Sequence, residues 1–166
     1  KFLLSAYRPL MLRYLGAMDR IVATSPNYFA TSEVLDLFAH KVDVIPIGLD
    51  QPSYPSVDEQ NKDVAVVAEN YGENFFLFVG VLRYYKGLHI LLDAIREAPY
   101  KVVIVGAGPV EGELRAQAQQ LGLNNVTFAG FVSDREKMAL YRLCRAVVFP
   151  SYLRSEAFGV TLLEGA

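Results

Sequence analysis

Sulfur and imidazole are scarce in this chain. Cys144 is the one cysteine among 166 residues, so no disulfide framework can form within it. His40 and His89 are the only histidines, and two imidazoles cannot build a metal cluster unaided. Tryptophan is absent. Neither sign of charge dominates: 16 basic residues face 18 acidic ones, for a formal net charge of -2. A chain so balanced has no electrostatic footprint for nucleic acid. Apolar runs such as FFLFVGV at 75–81 are short, far below the roughly 20 residues that span a bilayer. No signal peptide is legible either, because Arg8 and Arg13 interrupt the apolar residues after Lys1 and no small-residue cleavage site follows. These absences fit a reducing, cytoplasmic setting. What is plentiful is apolar side chain, 52% of the residues, ample for a buried core and unlike a disordered or fibrous chain.

The chain begins at Lys1 and stops at Glu164-Gly165-Ala166 in mid-pattern, and so reads as a fragment of a longer protein. Residues 2–18 carry apolar side chains at steps of three and four, which is helix spacing with a wide apolar face. Two readings stand for it: a buried helix, or one lying on a membrane surface with Lys1, Arg8 and Arg13 as its basic residues. RIVAT (20–24) reads as a short buried strand. Ser25-Pro26 then has the chemistry of a helix start, and a helix is expected over 28–38. VDVIPIG (42–48) is a second strand. Residues 50–63 are rich in Pro, Ser, Gln and Asp, a linker or surface loop that marks a domain boundary. The expected division is 1–50, a linker over 51–72, and a second domain over 73–166.

In that second domain, strands of unbroken apolar character (75–80, 101–106, 125–130, 146–151) alternate with helices (87–97, 110–121, 134–144 and from 159). This predicts an α/β fold, a doubly wound, Rossmann-like parallel sheet covered on both faces. Right-handed crossovers put every strand-to-helix loop on one edge, where ligands bind. Loops 80–87, 106–110, 130–134 and 151–159 should therefore converge on one cleft.

Loop GVLRYYKG (80–87) joins the turn-forming Gly80 to two cations, Arg83 and Lys86, at a helix start. A helix amino end favours anions, and a lysine adds a point charge suited to phosphate. Loop VGAGPVEG (105–112) has Gly106 and Gly108 of a dinucleotide fingerprint. Its third glycine is displaced to Gly112, and the next strand, NVTFAG, lacks an acidic residue at its end to take a ribose. A nicotinamide enzyme is thus disfavoured, while the glycines are expected to let backbone approach a ligand. In PSYLRSEAFGVTLLEGA (150–166), Glu156 precedes a helix and Glu164 lies about two turns into it. Phe158, Gly159 and Val160 offer free backbone N–H groups between the two carboxylates. Carboxylates beside unpaired donors suit a ligand with many hydroxyls and an anionic group, such as a sugar nucleotide.

In this order and spacing, FVGVLRYYKGL (78–88), the GAGP loop (106–109) and the Glu-x7-Glu element of 150–166 resemble the nucleotide-sugar half of a GT-B glycosyltransferase of the large retaining family 4, the glycosyl transferases group 1. Residues 1–50 resemble the end of that family's first, acceptor-side domain. The resemblance implies that Glu156 faces the donor sugar near the reacting centre and Glu164 holds the ribose hydroxyls. It implies that Lys86 neutralises the diphosphate of a UDP- or GDP-sugar, GDP-mannose among them. The backbone amides of Phe158, Gly159 and Val160 would meet sugar and phosphate, with Gly106, Gly108 and Val132 near base and ribose. It further implies no cofactor and no metal, a polysaccharide or lipid-linked glycan as acceptor, and a cytoplasmic location compatible with peripheral association at the inner face of the cell membrane.

Two positions depart from the pattern. Val81 stands where the family usually has Arg after Gly80, and Arg83 is the candidate to take over that charge. Ala157 stands where Gly usually follows the first Glu. These departures favour a second reading, a catalytically idle binding or interaction module of the same fold. A sugar-nucleotide epimerase is a third. A glycoside-hydrolase pair is disfavoured, because one glutamate is in a loop and the other two turns down a helix. His89 reads as a helix-surface or core-edge group, and Cys144 as a buried small hydrophobe.

Overall fold

The computed structural model describes residues 2–56, 62–153 and 159–166. The chain forms two compact units, Lys1–Gly48 and Leu49–Ala166.

The first unit runs α1 (Phe2–Ala17), β1 (Ile21–Ala23), α2 (Pro26–Ala30), α3 (Glu33–Asp36) and β2 (Val42–Val44). β1 and β2 pair in parallel, Ile21 opposite Val42. Ile21, Ala23 and Leu35 form its small core, with Leu15, Met18, Phe29 and Phe38 packed against them. Ser25 caps α2 as its chemistry dictates: its Oγ accepts the Tyr28 N–H at 3.0 Å. The single helix expected over 28–38 is instead broken at Thr31-Ser32. Ser32 Oγ accepts the Leu35 N–H at 3.3 Å, so a second cap starts a second helix in place of continuing the first. Nor is α1 buried along its whole apolar face, since Tyr7, Leu10 and Tyr14 are 58%, 66% and 63% exposed.

The second unit runs α4 (Lys62–Tyr71), β3 (Phe76–Val79), α5 (Leu88–Ala94), β4 (Val102–Val105), α6 (Glu111–Gln120), β5 (Val126–Gly130), α7 (Asp134–Leu143), β6 (Ala146–Val147) and α8 (Val160–Glu164). Strand order is β5-β4-β3-β6, all parallel. The chain lays strands outward from β3 to β5 and then returns to β6 on the other flank of β3. The sheet's topological switch therefore lies between β3 and β6, and a ligand crevice forms at such a point.

Strand alternation divides the core in two. Phe78, Val102 and Ile104 pack with Leu88, Leu92 and Leu114 on the α5–α6 face. Leu77, Val103 and Val105 pack with Val64, Val67 and Leu140 on the α4–α7 face. Both faces are thus covered, as the unbroken apolar strands require. Residues 62–71, expected as linker, are helical for the same reason: Val64 and Val67 sit on one side of α4 and are buried on the sheet. β6 is shorter than its apolar run. Val148 N–H still reaches Leu77 O at 2.8 Å, but Pro150 has no N–H with which to extend pairing. Among the described residues no helix is long and apolar enough to cross a membrane.

Candidate active site

The loops after β3 and β4 are locked to each other through backbone. Gly80 N–H donates to Val105 O at 3.0 Å, Leu82 N–H to Ala107 O at 3.0 Å, and Gly106 N–H to Gly130 O at 2.7 Å. A Cβ on Gly106 would overlap the Gly80 carbonyl oxygen, and one on Gly108 the Leu82 carbonyl oxygen. These two glycines therefore have a packing reason to be glycine. The approach they permit is of loop to loop, where the sequence pointed to an approach of backbone to ligand. Gly106 still lines the space beside that contact.

That space is a cavity of about 220 Å³ at the carboxyl edge, lined by Gly80, Val81, Gly106, Phe131, Val132 and Lys137 among others. Its walls are apolar apart from the Lys137 amine and backbone. Phe131 stands at its mouth, 87% exposed. Such a slot can hold a flat ring between apolar walls while one cation and the loop amides fix its polar edge.

Beside it the loops after β3 and β6 are stitched together. A short 3-10 turn, Tyr84–Lys86, leads into Gly87. A Cβ on Gly87 would overlap the Pro150 carbonyl, and Tyr152 N–H donates to Tyr85 O at 3.3 Å. Lys86 Nζ lies 5.3 Å from the Phe149 ring centroid and 5.5 Å from that of Tyr85. On the same Phe149 ring rests Gly159, the residue before α8, whose Cβ would stand 2.8 Å from Cζ. Lys86 is also close to the cavity, 4.0 Å from where a Cβ on Gly80 would stand. Lys86, Gly159 and Gly80 thus share one rim, and Val160 opens α8 beside them, 37% exposed. Glu156 and Phe158 lie outside the described residues.

Glu164 is engaged by protein. Its Oε1 accepts from Lys137 Nζ at 3.1 Å and Tyr54 OH at 3.1 Å, and its Oε2 from Tyr141 OH at 3.0 Å. Lys137 and Glu164 side chains are 17% and 9% exposed. Burial, then the Glu164 charge, pushes the Tyr141 hydroxyl well above its ordinary range. The hydrogen bond to Glu164 raises Tyr54. Burial works against the charge on Lys137, but the Glu164 and Asp134 carboxylates outweigh it and hold the amine above its usual value. Lys137 is the residue that the sequence did not single out: it both lines the cavity and grips Glu164. Asp134, Lys137 and Tyr141 at steps of three and four form one face of α7. That face was readable as a stripe, but its partner 27 residues on was not.

Arg83 does not join Lys86. It lines a separate hollow with Tyr84, His89, Glu113 and Gln117, while Val81 lines the cavity. The charge expected at Val81 is thus not replaced there by Arg83: β3 ends at Val79, so strand alternation no longer sets the two residues on one side, and each lines a different hollow.

A parallel sheet with both faces covered, a cavity at its carboxyl edge and a lysine rim beside a helix start matches the GT-B glycosyltransferase fold. The chain belongs to the family described as glycosyl transferases group 1, which matches residues 59–166. It is 58% identical over 166 residues to the D-rhamnosyltransferase WbpZ of Pseudomonas aeruginosa, covering 100% of this chain and 43% of that protein. It is 55% identical over 166 residues to the O-antigen chain mannosyltransferase C of Escherichia coli, covering 100% of this chain and 44% of that protein. The chain therefore spans less than half the length of these relatives. Among solved structures it is similar to Anabaena Alr3699/HepE in complex with UDP and glucose, with a TM-score of 0.70 and 26% identity over 89% of this chain and 41% of that one.

Proposed function

We propose that the protein carrying this chain is a retaining glycosyltransferase of family 4 that moves a hexose from a nucleoside diphosphate sugar to a polysaccharide or lipid-linked glycan. The observation that carries this reading is the shared rim: Lys86 and Gly159 meet on Phe149, next to the Gly80–Val132 cavity. In this reading the base enters the cavity, against Gly80, Gly106 and Val132, and the ribose lies at its opening. The diphosphate lies along the rim, where Lys86 and the amides of Phe158, Gly159 and Val160 meet it. When the bond from sugar C1 to the phosphate oxygen breaks, the electron pair leaves with the diphosphate. Fixed cations and amides aimed at that growing charge stabilise the transition state more than the ground state. No bound metal is invoked. Glu156 faces the sugar. Glu164 reaches ribose hydroxyls by exchanging a tyrosine partner, while Lys137 holds the carboxylate in place.

Relatives named for mannose and for D-rhamnose, which is 6-deoxymannose, support a GDP-mannose type of donor, while the UDP bound to HepE keeps UDP-sugars in the panel. The setting that fits is the cytoplasm, at the inner face of the membrane where lipid-linked glycan is extended. A second reading, a module that binds sugar nucleotide without turnover, is favoured by Val81 in the cavity wall and by Arg83 facing away from it. The test is thermal stabilisation by UDP, GDP and their sugars, followed by turnover with the nucleotide that binds. A shift with one nucleotide class and sugar release to a glycan acceptor support the transferase. A shift without turnover supports the module, and no shift with any of them contradicts both.

A further inference from the structure

Loop 80–83 is a wall between two hollows. Gly80 and Val81 face the cavity already described, and Arg83 with Tyr84 faces another of about 220 Å³ between α5 and α6. We infer that this second hollow is a carbohydrate site, taking one pyranose ring of a glycan chain and not the nucleotide donor. Drug-sized ligands fill about 300–1,000 Å³, so this space suits a single ring. Its floor is apolar, Leu88 and Leu114 being 1% and 3% exposed. Its rim carries an aromatic platform. Tyr84 stacks on His89 with centroids 4.9 Å apart and planes 9° apart, and Tyr152 stands edge-on to both, at 5.9 and 5.8 Å. Tyr84 is held in plane by these neighbours yet is 63% exposed.

An aromatic face is electron-rich and attracts the weakly positive C–H face of a sugar ring. Around it stand groups that pair with vicinal hydroxyls: the planar forks of Arg83 and Glu113. Gln117 spends both amide hydrogens on His89 O at 3.0 Å and Asp93 Oδ1 at 2.9 Å. What it offers a ligand is therefore a fixed carbonyl oxygen. Arg83 and Glu113 cancel in charge. An anionic diphosphate gains little from such a site, whereas a neutral polyol finds both donors and acceptors. The inference goes beyond the donor reading and is argued from the hollow's own chemistry.

The test is calorimetric titration of the protein with mannotetraose in the presence of saturating GDP, in wild type and in Tyr84→Ala, Glu113→Ala and Tyr84→Phe. Mannotetraose should bind wild type and Tyr84→Phe, and bind Tyr84→Ala and Glu113→Ala about tenfold more weakly, with GDP affinity unchanged throughout. Equal mannotetraose affinity in all variants, or no binding to wild type up to about 10 mM, overturns it. So does a loss of GDP affinity in Tyr84→Ala, which would make the hollow part of the donor site. Failure of wild type to bind any nucleotide counts against the donor reading alone, because the glycan titration then stands by itself.

Discussion

Lys86 and Gly159, 73 residues apart in sequence, meet on one ring. The amine lies 5.3 Å from the Phe149 centroid, and the glycine backbone abuts the ring edge so closely that a Cβ would stand 2.8 Å from Cζ. This places a cation beside the residue that leads into α8, and brings the exits of β3 and β6 into one rim. Phe149 is the spacer that sets their separation. Phe149→Ala should cost about 2 kcal/mol of stability, below the full-burial figure because the side chain is half-buried, and should weaken nucleotide binding as well. Phe149→Leu should recover most of the stability and less of the binding. Denaturant unfolding and nucleotide titration of the two variants check this.

Gly106 should tolerate no side chain. A Cβ there meets the Gly80 carbonyl, and its φ of +118° lies in the left-handed region. Gly106→Ala is expected to cost at least about 2 kcal/mol, read as a fall in unfolding midpoint. Gly112→Ala, where a Cβ has open space, should leave the unfolding free energy within about 0.5 kcal/mol of wild type or raise it, since the position is helical.

The Lys137–Glu164 pair is largely shielded from water, with side chains 17% and 9% exposed. Lys137→Ala leaves the carboxylate without its cation and should cost about 2 kcal/mol, between the surface and fully buried cases. Because the amine also lines the cavity, nucleotide affinity should fall with it. Lys137→Arg, which keeps the charge, should restore stability more fully than affinity. Unfolding curves and titrations of both variants separate the two effects.

Alkaline pH should destabilise the fold. Tyr141 is raised above its ordinary 10.0 by burial and by Glu164, and Tyr71 by burial and Glu136. Lys137 is raised above 10.5 because the carboxylates outweigh its burial. With raised values the folded chain keeps protons that the unfolded chain has already released. Stability from these groups is therefore full below about pH 10 and lost as pH rises through the raised values. Tyr141→Phe removes one such group, so its unfolding free energy should fall less steeply between pH 10 and pH 11, by up to about 1.4 kcal/mol per unit. A slope identical to wild type would contradict this.

The parts of the fold that depend on neighbours in sequence were readable. The Ser25 cap is where its chemistry put it, and the VVIV strand at 102–105 is buried on both faces as its unbroken apolar run required. α4 was missed because 50–63 reads as loop and its buried face is carried by two valines, Val64 and Val67. In the candidate site, Gly80, Gly106 and Val132 do line one cavity, since loop convergence follows from parallel topology alone. The partners of Glu164 were not readable. Tyr54 reaches it across 110 residues and Lys137 across 27, and such meetings depend on α7 and α8 packing beside β6. The direction of Arg83 was likewise not readable, because it lies beyond the end of β3, in loop backbone that leads into the Tyr84–Lys86 turn.

The central claim is that Lys86 meets the charge of a sugar diphosphate at this rim. It is tested most directly by calorimetric titration of UDP and GDP into wild type and Lys86→Ala. Loss of one charge-assisted bond, about 1.5–3 kcal/mol, predicts that the nucleotide which binds wild type binds the variant at least about tenfold more weakly. Equal affinity in a variant that unfolds at the wild-type midpoint would contradict it.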